Sequence, residues 1–332
     1  MVSQITLSAM SSETATIPFS SAIARTERLR GLRPHLEANI RGQPHVMERT
    51  TSVLTRGELG LSHPGRPKGS FLFVGPTGVG KTELTNVFTS YLFGERKPIR
   101  FDMSEYQNQS SVEKLIGQAA DETGLLGRAL DGVSEGTLLF DEIEKAHPLV
   151  LDLFLQMLDD ASITFATGER KNLSRFYTVF TSNIGSSEVM RMTSAPMATV
   201  ERTVLSRVGQ QLRPELVGRI TEKLVFGRLG FDTQREICEL MIERERARLR
   251  NLGFVLEENG EVVEFLIRRG FHKNLGARPM RAAVERHLQD AIAEGMLCNG
   301  EGSGRVVVDA RNERLVLHPI SAPLCDDTVT TP

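Results

Sequence analysis

A glycine-rich segment that ends in Lys-Thr predicts a site for phosphate groups. It follows an apolar run from Phe71 to Val74 and precedes a helix-compatible segment, so we expect a strand, a phosphate-binding loop and a helix. The backbone N–H groups of such a loop and the positive end of the helix dipole bind phosphate oxygens. The predicted nucleotide-binding residues of this segment are Gly75, Pro76, Thr77, Gly78, Val79, Gly80, Lys81 and Thr82. Lys81 would hold the β- and γ-phosphates, and the Thr82 hydroxyl would be one Mg²⁺ ligand.

A second motif supplies the carboxylates that phosphoryl transfer needs. The short apolar run from Thr137 to Phe140 is closed by Asp141 and Glu142, the pattern of a Walker B strand. We expect Asp141 to contribute to Mg²⁺ binding and Glu142 to polarise the attacking water. An acidic pair after a strand can also cap the following helix, and these residues alone leave that alternative open for Glu142.

The composition describes a globular chain and argues against several classes of partner. The 332 residues are 40% hydrophobic and 25% charged, with a formal net charge of -2. This length suits two compact units, and the lack of a basic surplus disfavours nucleic acid as a partner. No segment approaches the ~18 apolar residues of a membrane span, and the N-terminal residues lack a secretory leader. Cys238, Cys298 and Cys325 lie far apart. We expect a cytoplasmic protein, with a transit peptide as the weaker alternative.

Short apolar runs alternate with helical patterns along the first two thirds of the chain, which predicts an α/β fold with a parallel sheet covered by helices. The predicted strands are Phe71 to Val74, Ile99 to Phe101, Thr137 to Phe140 and Tyr177 to Thr181. Beyond them the pattern predicts a smaller helical lid with a terminal β-hairpin, whose first helix begins with a capping box of Thr233 and Glu236. The predicted organisation is a flexible arm (1–26), a nucleotide-binding α/β domain (27–228), the lid (229–320) and a flexible tail (321–332).

Four longer strings make the chain similar to a known family. They are Ile40-Arg41-Gly42-Gln43, Gly69-Ser70-Phe71-Leu72-Phe73, Asp102-Met103-Ser104-Glu105-Tyr106 and Asp141-Glu142-Ile143-Glu144-Lys145-Ala146-His147-Pro148. With them the chain resembles the Clp-type AAA+ ATPases, specifically the second ATPase module of ClpB and ClpA, over about residues 30–320. The resemblance implies a P-loop AAA+ module that hydrolyses ATP to ADP and phosphate with Mg²⁺. It also implies that the segment at Ile40 lies against the adenine.

The resemblance assigns roles to three further residues. Asn183 matches the first sensor, whose amide holds the attacking water and the γ-phosphate. Arg219 matches an arginine finger that enters the neighbouring subunit's site, and Arg278 matches the second sensor, which couples the nucleotide to the lid. For either arginine alone a surface ion pair is the alternative. A finger that acts in trans implies a closed homo-oligomeric ring, and the family implies a hexamer.

The chain departs from the family in the loop that grips polypeptide in threading members. Leu115-Ile116-Gly117 runs through residues 118–123 without the expected Gly-aromatic-Val-Gly element, and Asp121 and Glu122 lie in this stretch. Leu125 or Leu126 is the alternative apolar contact. The segment between Gly185 and Leu212 also lacks the Ile-Gly-Leu/Phe tripeptide that docks a protease ring, which disfavours a Clp peptidase as partner.

These features predict a stand-alone ring ATPase that remodels or unfolds an unknown protein partner, as a chaperone does. Because the aromatic element is missing, an ATP-gated scaffold that does not thread polypeptide is the alternative. A nucleic-acid motor is a weaker one, since neither a basic composition nor aromatic platforms among basic residues are present.

Overall fold

Short apolar segments form the strands of the protein. The computed structural model describes residues 19–119, 122–272, 275–300, 302–309 and 312–319. Its strands are β1 (Gly69–Val74), β2 (Ile99–Asp102), β3 (Gly136–Asp141), β4 (Ser162–Thr164), β5 (Arg170–Asn172), β6 (Phe176–Ser182), β7 (Glu222–Val225), β8 (Leu256–Glu258), β9 (Gly304–Asp309) and β10 (Arg314–His318). Five of them form a parallel sheet in the order β2-β3-β6-β1-β7. The predicted α/β fold class is confirmed.

Helices cover this sheet and build most of the lid. They are α1 (Phe19–Asn39), α2 (Pro44–Glu58), α3 (Lys81–Phe93), α4 (Ser111–Ile116), α5 (Gly124–Leu130), α6 (Pro148–Asp160), α7 (Ser186–Arg191), α8 (Met197–Gln211), α9 (Pro214–Arg219), α10 (Phe231–Asn251), α11 (Gly260–Gly270) and α12 (Arg278–Asn299). Helix α1 begins at Phe19, inside the segment 1–26 that was expected to be a flexible arm. Residues 1–18 and the predicted tail lie outside the described residues, so the domain boundaries stay predictions.

The sheet has a buried core on each face, because alternate side chains of a strand point to opposite sides. Phe71 and Phe73 of β1 pack in one cluster, whereas Leu72 and Val74 pack in the other. All four are fully buried, and burying such a side chain contributes roughly 1.5–3 kcal/mol. Since β1 lies beside β6 and β6 beside β3, the carboxyl ends of these three parallel strands meet at one edge of the sheet. The phosphate-binding loop, the acidic pair and Asn183 follow those ends.

Strand β7 was not predicted from the sequence. Its register pairs Phe71 with Glu222 and Val74 with Val225 at the edge of the sheet. Two charged residues in a four-residue edge strand hide the apolar signal that identified the central strands. The strand extends the sheet on the side where the chain crosses to the lid.

The lid combines α10, α11 and α12 with a three-stranded sheet in the order β10-β9-β8. The predicted hairpin is present, with β9 and β10 antiparallel, while β8 pairs in parallel with β9 and was not predicted. The predicted capping box at Thr233 is wrong. Helix α10 already begins at Phe231, after Gly230, without a side-chain cap.

In the loop between α4 and α5, where the family's aromatic element was expected, Gly117 lies close to Glu122. Gly117 has φ 95°, and a methyl group on its Cα would lie 1.8 Å from the carbonyl oxygen of Glu122. Leu126 is 1% exposed in the core, whereas Leu125 is 42% exposed. Of the two leucines considered as a substitute for the aromatic ring, only Leu125 is therefore at the surface. Residues 120 and 121 lie outside the described part of the chain.

No helix among the described residues is both long enough and apolar enough to cross a membrane.

Candidate active site

The phosphate-binding loop leaves β1 and enters α3 through glycines in left-handed conformations. Gly78 has φ 76° and Gly80 has φ 106°, values that L side chains rarely adopt. A methyl group at Gly78 would also lie 1.9 Å from the carbonyl oxygen of Leu275 in the lid. Gly80 precedes α3 and has no side chain to cap it, so no cap accepts a hydrogen bond from the first backbone N–H groups of this helix. Such a helix start is suited to an anionic ligand.

Lys81 lies under this loop and is 8% exposed. Its Nζ donates hydrogen bonds to the carbonyl oxygen of Gly75, to that of Pro76 at 2.9 Å and to Asn183 Oδ1 at 3.0 Å. Burial lowers the pKa of Lys81 to about 8, although Glu144, Asp141 and Glu142 oppose the shift. The folded protein thus holds a cation where its charge is poorly solvated, and a bound phosphate would offset that charge.

Replacing Lys81 with methionine is expected to stabilise the nucleotide-free protein at pH 7 by about 1–3 kcal/mol, because the lowered pKa means that burying the charged lysine opposes folding. At pH 7 the full penalty is present. It declines as pH rises from about 8, where the folded lysine loses its proton, towards the ordinary lysine value of about 10.4. In thermal unfolding between pH 7 and pH 10, the variant should have the higher unfolding midpoint at neutral pH. The difference from the wild type should shrink as the pH rises towards 10.

Lys145→Met is the control for this prediction, since Lys145 is exposed and its pKa is raised by a hydrogen bond from Lys145 to Glu142. That variant should show no gain in stability. An unfolding midpoint of Lys81→Met below that of the wild type at pH 7 would contradict the prediction.

Two carboxylates lie at the end of β3, opposite Lys81. Asp141 is 4% exposed, and its Oδ1 accepts a hydrogen bond from Thr181 Oγ1 at 2.8 Å. Its Oδ2 lies 2.5 Å from Arg100 Nε of the neighbouring strand β2. Glu142 follows with φ 58°, a strained backbone conformation. Its backbone N–H donates a hydrogen bond to Thr181 Oγ1 at 3.2 Å. The strand end therefore presents one carboxylate that already binds a cation and one that is turned out of the strand.

Asn183, which follows β6, connects these groups. Its Nδ2 donates to Glu142 Oε1 at 3.1 Å, while its Oδ1 accepts from Lys81. Its own backbone N–H donates to Glu144 Oε1 at 3.0 Å. Glu142 Oε2 also pairs with Lys145 Nζ at 2.5 Å. The Asn183 amide is thus held in one orientation between Lys81 and Glu142.

These residues surround a cavity of about 390 Å³ between the sheet edge and the lid. The predicted residues that line it are Ile40, residues 77–82, Asp141, Glu142, Asn183 and Arg278. Gly75 and Pro76 contact Lys81 through their carbonyl oxygens but do not line it. Ile40 is buried, and Ile237 and Met241 of α10 add apolar surface beside it. One end of the cavity is apolar and the other polar, as a nucleoside phosphate requires.

The lid closes the cavity at Arg278 and at the turn before it. Ala277 N donates to the carbonyl oxygen of Gly78 at 3.2 Å, which docks the lid directly on the phosphate-binding loop. Arg278 begins α12 and is exposed. Within the described residues its guanidinium has no hydrogen bond or ion pair, so it is available to a ligand.

Arg219 is the one predicted site residue that the structure places elsewhere. It ends α9, where its Nε lies 2.5 Å from Asp159 Oδ2 of α6, and it does not line the cavity. About a third of its side chain is exposed. An arginine outside its own subunit's cavity cannot act there, and its role in a neighbouring subunit stays a prediction.

Mg²⁺ fits the residues at the polar end of the cavity. Thr82 and Asp141 both line it, and the Asp141 carboxylate already binds the Arg100 cation. Within the described residues no group of three His, Cys, Asp or Glu side chains could hold a metal ion by itself. This arrangement suits Mg²⁺, which takes few protein ligands and completes its shell with phosphate oxygens and water.

Several residues of the site escaped the sequence reasoning, among them Arg100, Thr181, Glu144, Lys145, Glu83 and Arg244. Arg100 could have been found, because β2 was predicted and a cation on a strand beside β3 can reach its acidic end. Glu144 and Lys145 lie in a quoted string, but only the fold shows that Asn183 and Glu142 meet them. Arg244 lies in an Arg/Glu-rich run of α10, a pattern typical of a solvated helix face.

Two family models match consecutive parts of the chain. The model described as an AAA domain of the Cdc48 subfamily matches residues 66–223. The model described as the C-terminal, D2-small domain of ClpB protein matches residues 229–308. The first contains the phosphate-binding loop, the acidic strand end and Asn183, and the second contains Arg278.

Curated proteins and solved structures agree with these matches. The ATP-dependent Clp protease ATP-binding subunit ClpA homolog of Porphyra purpurea is 37% identical over 309 residues, and chaperone protein ClpB 1 of Synechococcus elongatus is 35% identical over 334 residues. They cover 87% and 97% of this chain, which spans 38% of the length of each. The S. cerevisiae Hsp104:casein complex in an extended conformation has a TM-score of 0.79 and 30% identity, over 88% of this chain and 52% of that chain.

Proposed function

Because the chain belongs to the Clp-type AAA+ ATPases, we propose that it hydrolyses ATP to ADP and phosphate as a hexameric ring and remodels or unfolds a protein partner. One observation carries the catalytic half. Asn183 bridges Lys81, at 3.0 Å, and Glu142, at 3.1 Å, so that the phosphate-binding lysine and the acidic residue share one hydrogen-bonded chain. A general base and a phosphate clamp have to meet in this way at the terminal phosphate.

Each predicted residue has a task in this proposal. Lys81 and the amides of the loop bind the phosphates of ATP, and Ile40 packs against the base. Thr82 and Asp141 hold Mg²⁺, which when bound offsets the charge of the phosphate oxygens. Glu142 takes a proton from the attacking water, and Asn183 orients that water. Arg278 contacts the γ-phosphate from the lid, and Arg219 acts on the site of the neighbouring subunit.

A protein partner is supported by the relatives, one of which is a chaperone and one of which was solved with casein. The contact with polypeptide would fall to Leu125, which is exposed beside the loop that lacks an aromatic residue. We propose a cytoplasmic location. We also propose that no Clp peptidase is a partner, since the segment between Gly185 and Leu212 carries α7 and α8 without the docking tripeptide.

Hydrolysis measured against protein concentration tests the ring. We expect the rate per subunit to rise steeply with concentration in ATP and Mg²⁺, together with a shift to a hexamer by size-exclusion light scattering, because each site would need a residue of the next subunit. ATP-driven unfolding of a stable tagged protein is the test of remodelling. Nucleotide-dependent association without unfolding would replace that proposal with the scaffold, and a rate per subunit independent of concentration would overturn the ring.

A further inference from the structure

A cluster of charged side chains joins the lid to the nucleotide cavity away from Arg278. Arg244 of α10 donates through Nη1 to Glu83 Oε1 of α3 at 2.8 Å and through Nη2 to Asn39 Oδ1 of α1 at 2.9 Å. Arg281 of α12 reaches the same Glu83 oxygen at 3.4 Å. Two lid helices thus converge on one carboxylate of the α/β domain. We call Arg244, Glu83 and Asn39 the latch.

The latch spans both walls of the cavity. Glu83 follows Thr82 in the first turn of α3, on the phosphate side, while Asn39 precedes Ile40 on the side of the base. All three latch residues line the cavity. Arg244 therefore connects the two walls and, as part of α10, links both of them to the lid. The docking of Ala277 on Gly78 is the second attachment of the lid.

The charge of Glu83 requires an explanation, since a carboxylate beside a phosphate site repels the ligand. Its side chain is 31% exposed and receives Arg244, which is 34% exposed. A partly exposed ion pair of this kind contributes at most about 1 kcal/mol to folding stability. Folding stability alone therefore explains the acid at this position poorly. Attaching the lid over the ligand cavity explains it better.

We propose that Arg244 is a positioning residue that holds the lid closed over the nucleotide through its two-sided contact with Glu83 and Asn39. The inference rests on the proposed function only for the identity of the ligand as an adenine nucleotide. Arg244 acts through the cavity walls and not by touching the phosphates. Loss of the latch opens the lid and weakens nucleotide binding on either side of the hydrolysis step.

Binding of mant-ADP to the full chain, followed by fluorescence anisotropy, tests the latch without any hydrolysis. We expect Arg244→Gln to weaken binding about tenfold, within the range usual for coupled sites. The direction in which Glu83→Gln changes the affinity for mant-ADP distinguishes the latch from simple electrostatics. Simple electrostatics predicts that removing this carboxylate strengthens the binding of an anion, whereas the latch predicts a several-fold weakening. In the Arg244→Gln background the Glu83 substitution should weaken binding much less, because only the longer 3.4 Å contact with Arg281 is left to lose.

Arg235→Gln is the matched control. Arg235 lies on α10, is 37% exposed and pairs with Glu264 of α11 at 3.0 Å, a contact that stays inside the lid. This variant should bind mant-ADP within about twofold of the wild type, since exposed pairs of this kind contribute little. Tighter or unchanged binding by Glu83→Gln overturns the latch, as does an equal loss in the control. A wild type that binds mant-ADP and shows the latch effects but never hydrolyses ATP refutes the proposed function alone.

Discussion

Glutamine in place of Glu142 is expected to leave ATP binding unchanged and to lower hydrolysis by about 10²–10⁴, the usual contribution of a general base. Glutamine keeps the size of the side chain and an oxygen that can accept the 3.1 Å bond from Asn183 Nδ2. It cannot take a proton from water. Lys81, Thr82 and the loop amides are untouched, so the affinity for mant-ATP should stay within about twofold, while phosphate release nearly stops.

Glu188→Gln is a suitable control for this variant. Its carboxylate is 27% exposed and faces Arg207 at 3.8 Å, and the Glu142 carboxylate is 31% exposed and faces Lys145. Glu188 lies on α7 and does not line the cavity. We expect its substitution to leave the rate unchanged. Near-normal phosphate release by Glu142→Gln would overturn the assignment of the base, and lost mant-ATP binding would mean that Glu142 serves mainly to organise the cavity.

The residues whose position in the fold was predicted most accurately are those whose local structure is set by the immediate sequence. The loop at residues 75–80 needs glycine at left-handed positions, and that requirement is visible in the chain itself. Asp141 is found because a buried strand ends just before it. The loop and Asp141 lie at the same edge of the sheet because β1 and β3 both pair in parallel with β6, and parallel strands end on the same side. The fold class followed from the same alternation of apolar runs and helical patterns.

The contacts that escaped prediction depend on how distant segments meet. Arg244 is separated by most of the α/β domain from Glu83, and nothing in the Arg/Glu-rich sequence of α10 distinguishes it from Arg235, which pairs inside the lid. Likewise Leu125 and Leu126 are identical residues side by side, and only the packing of α5 shows that one is buried. Pairing across the domains is a property of the folded chain, so local patterns cannot select the partner.

The hydrogen-bonded chain through Asn183 also connects the lid with Glu142, because both are linked to Lys81 and the loop around it. Lys81 contacts Asn183, and the loop that Lys81 supports is docked by Ala277 of the lid. A displacement of the lid would therefore act on the same loop that orients Lys81. Glu142, Asn183 and the lid are thus connected through Lys81 and the loop, without a direct contact between Arg278 and Glu142.

Alanine in place of Arg219 is expected to lower hydrolysis by about 10³–10⁵, the range for loss of an arginine finger, while each subunit still binds mant-ATP. The guanidinium lies outside its own cavity, so the loss would arise at the interface with the next subunit. Arg213→Ala is the matched control. Arg213 also belongs to an ion pair between the start of α9 and α6, with Asp152 as its partner, and should be dispensable.

Mixing two inactive variants tests whether Arg219 acts in trans. Rings that contain both Arg219→Ala and Glu142→Gln subunits have interfaces where an intact arginine faces an intact glutamate, so the mixture should regain a measurable part of the wild-type rate. If Arg219 acts within its own subunit, each subunit of the mixture lacks one essential group and no activity returns. Light scattering of Arg219→Ala in ATP separates this result from failed assembly, and an Arg213→Ala variant as inactive as Arg219→Ala would assign the effect to the α6–α9 contact.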